Sequence, residues 1–191
     1  MSDAISPLQG ATFEGFATIR ETGVRGMITL RGDLGDDRLQ KSVSKLTGVS
    51  IPKVGQALFK GDNGLIWMSP DEILILCPYD KVAAHLANLS KALKAMHHLA
   101  TNVSDARAVF QISGAGARDV LAKLTPADMS PEAFGPGQVR RTRAAQVAAA
   151  IWLLDDDVFE LVCFRSVADY VFGLLKASAQ PGSEVGMFQN T

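Results

Sequence analysis

Cysteine, histidine and long apolar runs are all scarce in this sequence, and each shortage closes off a class of function. The 191 residues contain two cysteines and three histidines. Cys77 and Cys163 each sit inside an apolar, strand-like run, "ILILC" and "LVCF", where a small buried free thiol is the simplest reading. A disulfide scaffold needs more cysteine than this. His97 and His98 are neighbours, and adjacent residues on a helix point about 100° apart, so they do not share a face as a metal pair would. No metal site is expected.

The longest uncharged run of the second half, Ala144 to Leu154, falls well short of the roughly 20 residues that span a bilayer. The opening "MSDAISPLQG" has neither a basic stretch nor an apolar one, so export is not expected and a cytoplasmic location is. Charge of one sign is lacking too. Lys plus Arg number 19 against 20 Asp plus Glu, a formal net charge of −1, which leaves no electrostatic footprint for nucleic acid or an acidic membrane.

What is present is an ordinary globular composition, 47% hydrophobic and 20% charged, and an order of elements that occurs twice. "RGMITLRG" alternates as a half-buried strand, and "DDRLQKSVSKLTG" reads as a short helix stopped at Gly48. "QALFKG", "GLIWMS" and "EILILCP" follow as strands separated by turn residues. "YDKVAAHLANLSKALKAM" carries Val82, Leu86, Leu89, Leu93 and Met96 as the stripe of a closing helix.

The second pass begins with "RAVFQISG", Arg107 standing 82 positions after Arg25 (107 − 25). "ARDVLAKLTP" supplies the short helix; "GQVRRTRAA", "QVAAAIWLL" and "VFELVCF" supply three strands; "SVADYVFGLL" closes the half. "KLTG" matches "KLTP", and Cys77 matches Cys163. A duplicated α+β fold follows, two β-α-β-β-β-α units with mixed or antiparallel sheets. The expected divisions are residues 1–100, residues 101–179 and a polar tail, 180–191, either frayed or ordered only against a partner.

Chemistry is harder to find. "SGAGARD" resembles a phosphate-cradling turn, but Asp119 stands where a dinucleotide fingerprint needs its third glycine. A carboxylate there repels a pyrophosphate, so Gly114 and Gly116 are read as a sharp strand-to-helix corner. The clusters Asp36-Asp37, Asp71-Glu72 and Asp155-Asp156-Asp157 fall at helix starts and hairpin corners, where Asp serves the backbone. Arg140, Arg141 and Arg143 put basic side chains on both faces of one strand, as an edge protected against mispairing or as a partner-facing patch. Trp67 and Trp152 are expected in the core or half in it. No catalytic, cofactor-binding or metal-binding residues are assigned, which favours a binding or scaffold subunit over a free-standing enzyme.

Several stretches do carry a resemblance. They are Val103-Ser104 before Arg107, Ser113-Gly114 with "ARDVLAK", Phe134 with Pro136-Gly137, Arg165-Ser166 with Ala168-Asp169-Tyr170, and Trp67 with Pro70-Asp71-Glu72. In order and spacing they resemble the gamma subunit of heterotetrameric sarcosine oxidase. Ser69 and Ile73 stand where that family commonly has glycine and tryptophan.

The resemblance implies a fold similar to the folate-binding domain of glycine-cleavage aminomethyltransferases, built from two related units. It implies alpha, beta and delta subunits as partners, in a complex that oxidises sarcosine to glycine. That complex gives hydrogen peroxide and, with tetrahydrofolate, methylenetetrahydrofolate. FAD, FMN, NAD, tetrahydrofolate and zinc are implied for the partner subunits and none for this chain. The alternative is an independent folate-binding or one-carbon-transfer protein of the aminomethyltransferase type. The related iron–sulfur maturation branch carries a Cys in its "KGCYxGQ" stretch, and Val54-Gly55-Gln56 here lacks it. The candidates for a partner interface are Arg107, Arg140, Arg165 and Tyr170, because Arg and Tyr are favoured anchors.

Overall fold

The computed structural model describes residues 4–188. Eleven strands and four α-helices are present among them. The strands are β1 (Thr12–Glu14), β2 (Thr18–Glu21), β3 (Gly26–Gly32), β4 (Ala57–Lys60), β5 (Asn63–Ser69), β6 (Glu72–Cys77), β7 (His98–Asn102), β8 (Arg107–Ser113), β9 (Val139–Ala144), β10 (Val147–Asp155) and β11 (Val158–Phe164). The helices are α1 (Asp37–Thr47), α2 (Val82–Leu93), α3 (Ala117–Ala122) and α4 (Ala168–Ser178). Both β-α-β-β-β-α runs therefore stand where the sequence periodicity places them.

The chain divides into two compact units. A central unit runs from Val24 to Asp105, and a split unit combines the chain up to Gly23 with the chain from Ala106 onward. The central unit holds one antiparallel sheet in the order β4-β5-β6-β3-β7. Its core gathers Ile28, Leu30, Ile73 and Ile75 from the sheet and Leu39, Val43, Leu89 and Leu93 from the helices. Asp36 caps α1 by accepting hydrogen bonds from the Arg38 and Leu39 amides. Gly48 ends it in the left-handed region, at φ 73°.

The split unit holds a six-stranded antiparallel sheet, β1-β2-β8-β11-β10-β9. Its core gathers Ile19, Phe110, Ile112, Phe159 and Leu161 from the sheet and Val120, Leu121, Val171 and Leu175 from α3 and α4. β9 lies at the edge of this sheet, and Arg141 and Arg143 on it are exposed.

The boundary expected at residue 100 falls inside β7, and topology explains the difference. β2 precedes β3 along the chain but pairs with β8, while β7 precedes β8 but pairs with β3. Each half thus lends its leading strand to the other half's sheet, and any single cut leaves one sheet short. The C-terminal tail also differs from its expectation. Through Phe188 it is held by its own chain, as described next; residues 189–191 lie outside the described residues.

Candidate functional site

The glycine-rich corner before α3 is a packing device. Gly114 takes φ +104°, which L side chains rarely adopt. At Gly116 an added Cβ would come within 2.3 Å of the Phe16 ring and 3.0 Å of the Phe16 carbonyl oxygen. The start of α3 is thus closed by Phe16, and α3 spans six residues.

The side chains that follow turn inward. Arg118 is 9% exposed and donates through one guanidinium nitrogen to the Met129 and Phe134 carbonyls at 2.8 and 3.0 Å. Its guanidinium lies 5.1 Å over the Phe159 ring. Burial lowers its pKa from the ordinary arginine value, partly offset by Asp157, Asp156 and Glu132; the group remains a cation at neutral pH. Asp119 is also buried and accepts from the Gly186 amide at 2.7 Å. Lys123 donates to the Ser178 and Ser183 carbonyls and lies over the Phe16 ring. "ARDVLAK" is therefore a clamp that ties the 129–134 loop and the C-terminal tail to one short helix.

The other stretches that carried the resemblance also have internal partners. Ser104 is buried, receives the Met27 amide at 2.9 Å and donates to Asn102 at 2.6 Å, fixing the start of β3. Phe134 is fully buried, edge-on to Phe159 at 5.7 Å. Gly137 (φ 75°) donates to the Leu153 carbonyl. Glu72 pairs with Arg31 across β3 and β6 at 2.6 Å, while Ser69 donates to Asp71 at the hairpin corner.

Of the interface candidates, Arg140 is engaged with its own chain. It donates to the Ala133 and Val139 carbonyls and to Gln138, and lies 4.8 Å over the Phe134 ring. Arg107 and Arg165 come to one end of the split unit. Arg107 pairs across strands with Phe164, its guanidinium 3.9 Å over that ring. Phe164 is nevertheless 48% exposed. Arg165 and Ser166 begin the 3-10 turn Arg165–Val167 that leads into α4. With Pro7, Phe164 and Asp169 they line a shallow depression of about 520 Å³. Tyr170 stands on the first turn of α4, 51% exposed.

The sequence reading missed Phe164, because the last residue of an apolar run such as "LVCF" looks like core. Its only signal is position, after which the strand gives way to a turn. Reading missed a second concavity as well, a groove of about 940 Å³ between α1 and α2 of the central unit. His85 lines it, and burial, then Lys81, lowers the pKa of its imidazole.

Buried carboxylates do not open into either concavity. Glu21 accepts from the Ser6 hydroxyl and the Gly10 amide, Glu160 from the Trp152 indole at 2.8 Å, and Asp119 from the tail. Both cysteines are buried and free, and burial pushes each thiol up to about 11. Among the described residues, no helix is long and apolar enough to cross a membrane.

Comparison with known proteins places this arrangement. The model of the "sarcosine oxidase, gamma subunit family" matches residues 31–180. Sarcosine oxidase subunit gamma of Corynebacterium sp. (strain U-96) is 30% identical over 157 residues, 80% of this chain and 74% of that one. The same-named subunit of Corynebacterium sp. (strain P-1) is 26% identical over 179 residues, covering 92% and 86%.

Among solved structures, a chain of heterotetrameric sarcosine oxidase from Corynebacterium sp. U-96 superimposes with TM-score 0.81 at 24% identity, over 91% of this chain and 93% of that one. The glycine cleavage system aminomethyltransferase T of Bartonella henselae superimposes with TM-score 0.60 at 16% identity, over 84% of this chain and 46% of that one. Those two likenesses bear out the expected fold. The family match covers most of the chain, including the clamp helix, the Pro-Asp-Glu corner and the Arg165-Ser166 turn, and the chain belongs to the sarcosine oxidase gamma subunit family.

Proposed function

We propose that this chain is a structural subunit of a cytoplasmic sarcosine-oxidising heterotetramer, with the redox chemistry carried by its partners. The observation that carries the reading is the division of labour among the residues that mark the family. Arg118, Ser104, Phe134 and one carboxylate oxygen of Asp119 are engaged by the chain itself. What faces outward is Phe164 and Tyr170, with the half-buried Arg107 stacked on Phe164 and the half-buried Arg165 on the turn between them. Exposed aromatics with arginine are the composition of an interface centre.

In this reading alpha, beta and delta subunits supply FAD, FMN, NAD, tetrahydrofolate and zinc. The complex takes sarcosine and oxygen to glycine and hydrogen peroxide, passing the methyl carbon to tetrahydrofolate. This chain contributes a folded surface that the partners bind. The folate-carrier alternative needs a carboxylate aimed into a pocket, and neither concavity is lined by a buried one: Glu21, Asp119 and Glu160 each give one oxygen to their own chain's amide, hydroxyl or indole groups.

The test is co-expression of the tagged chain with the three partner subunits from the same source. One stable species with all four polypeptides and sarcosine-dependent peroxide formation is expected. A tagged chain that elutes alone while the other three assemble and turn over at full rate would overturn the reading.

A further inference from the structure

The α1–α2 groove of the central unit is rimmed by cations. Arg38, Lys41 and Lys45 follow one face of α1, and Lys91 faces them from α2. Lys41 meets Asp37 at 3.6 Å, but both side chains are about four-fifths exposed, so that pair neutralises little. Arg38, Lys45 and Lys91 have no ion pair among the described residues. The floor is apolar, from Leu46, Leu89 and Ala92. His85 adds a buried ring nitrogen, Nδ1, with no hydrogen-bond partner among the described residues.

This concentration of positive charge stands out in a chain of net charge −1. The duplication supplies a comparison. Aligning "KLTG" with "KLTP" sets Lys45 opposite Lys123, and one turn earlier it sets Lys41 opposite Asp119. In the split unit Lys123 holds the Ser178 carbonyl at the end of α4 and the Ser183 carbonyl of the C-terminal tail, and Asp119 holds the Gly186 amide. Phe188 packs on the core beyond them. The face of α3 is thus filled by a stretch of polypeptide.

The matching face of α1 has no such stretch among the described residues, and where α3 presents a carboxylate it presents a lysine.

We infer that the α1–α2 groove is a docking site for an acidic, partly apolar segment of a partner subunit, which lies along α1 as the chain's own tail lies along α3. Carboxylates of that segment meet Arg38, Lys45 and Lys91, and its apolar side chains cover Leu46 and Leu89. The inference rests on the reading of this chain as a subunit.

The test is zero-length carbodiimide coupling in the purified four-subunit complex, which joins a lysine to a carboxylate only in direct contact, followed by peptide mass spectrometry. Coupling of Lys41, Lys45 or Lys91 to Asp or Glu of another subunit is expected. A Lys41→Glu/Lys45→Glu/Lys91→Glu variant, all exposed positions, is expected to keep its circular dichroism and weaken assembly at least tenfold at low salt. An intact complex whose three lysines couple to nothing and acetylate as fast as in the isolated chain overturns the groove proposal and leaves the subunit reading standing. Coupling only between two copies of this chain overturns it in favour of self-association. Failure of any complex to form overturns the subunit reading, and this proposal with it.

Discussion

Arg118 shows how a charged residue in a conspicuous motif can serve the fold. Its guanidinium bonds two carbonyls of the 129–134 loop from a buried position. Replacing Arg118 by Met keeps much of the stem packing but leaves both carbonyls without a donor, at about 1–3 kcal/mol for a lost buried partner. Equilibrium denaturation of Arg118→Met is expected to show a loss of about 2 kcal/mol, and an unchanged midpoint would contradict the clamp.

The cysteines give a second expectation at the same scale. Burial holds Cys77 and Cys163 near 11 against an ordinary 9.0, so between those values the unfolded chain carries fewer thiol protons than the native one. Stability therefore falls as pH rises from about 9 to 11, by up to about 1.4 kcal/mol per pH unit for each thiol. Urea denaturation at pH 8 and pH 10 checks this. The Cys77→Ala/Cys163→Ala variant is expected to lose less stability between the two pH values than the parent.

Elements were legible in proportion to how much their own sequence decides. α1 and α2 carry apolar stripes and, for α1, caps at both ends. β3, β8 and β11 carry alternating or continuous apolar runs, and all of these stand where periodicity puts them. β2 and β7 were not legible. β2 is the four residues "TIRE", and β7 is "HLATN", mostly exposed or half-buried; each becomes a strand because the neighbouring sheet offers an unpaired edge. Tertiary pairing decides their state, which no window of propensity records.

The Gly114–Gly116 corner was legible as a corner, but Phe16, which closes it, lies about a hundred residues earlier in the sequence. Gly116→Ala drives a methyl group against that ring and the Phe16 carbonyl oxygen and is expected to cost about 1–3 kcal/mol, read as a lowered Tm. Deleting residues 181–191 removes the Gly186 and Ser183 contacts and the Phe188 packing. A loss of about 2 kcal/mol is expected, whereas a tail ordered only against a partner would be removed at no cost.

At the scale of the molecule, the duplication was readable and the exchange of leading strands was not, because that exchange is a matter of pairing. It makes each sheet depend on chain from both halves, so division at residue 100 is not expected to give two folding fragments. The proposed docking surface was legible only in its arginines and Tyr170. The lysine groove, spread over two helices about 50 residues apart, had no local signature.

We propose that partner subunits hold this chain through the Arg107–Phe164–Arg165 surface. The decisive measurement is native mass spectrometry of the co-expressed complex, parent against Arg165→Glu and Phe164→Ser. Truncating an interface centre costs roughly 2 kcal/mol or more, about a thirtyfold weakening. A four-subunit mass is expected for the parent and, for each variant at submicromolar concentration, a three-subunit mass with this chain released and folded. Undiminished four-subunit assembly by both variants would contradict it.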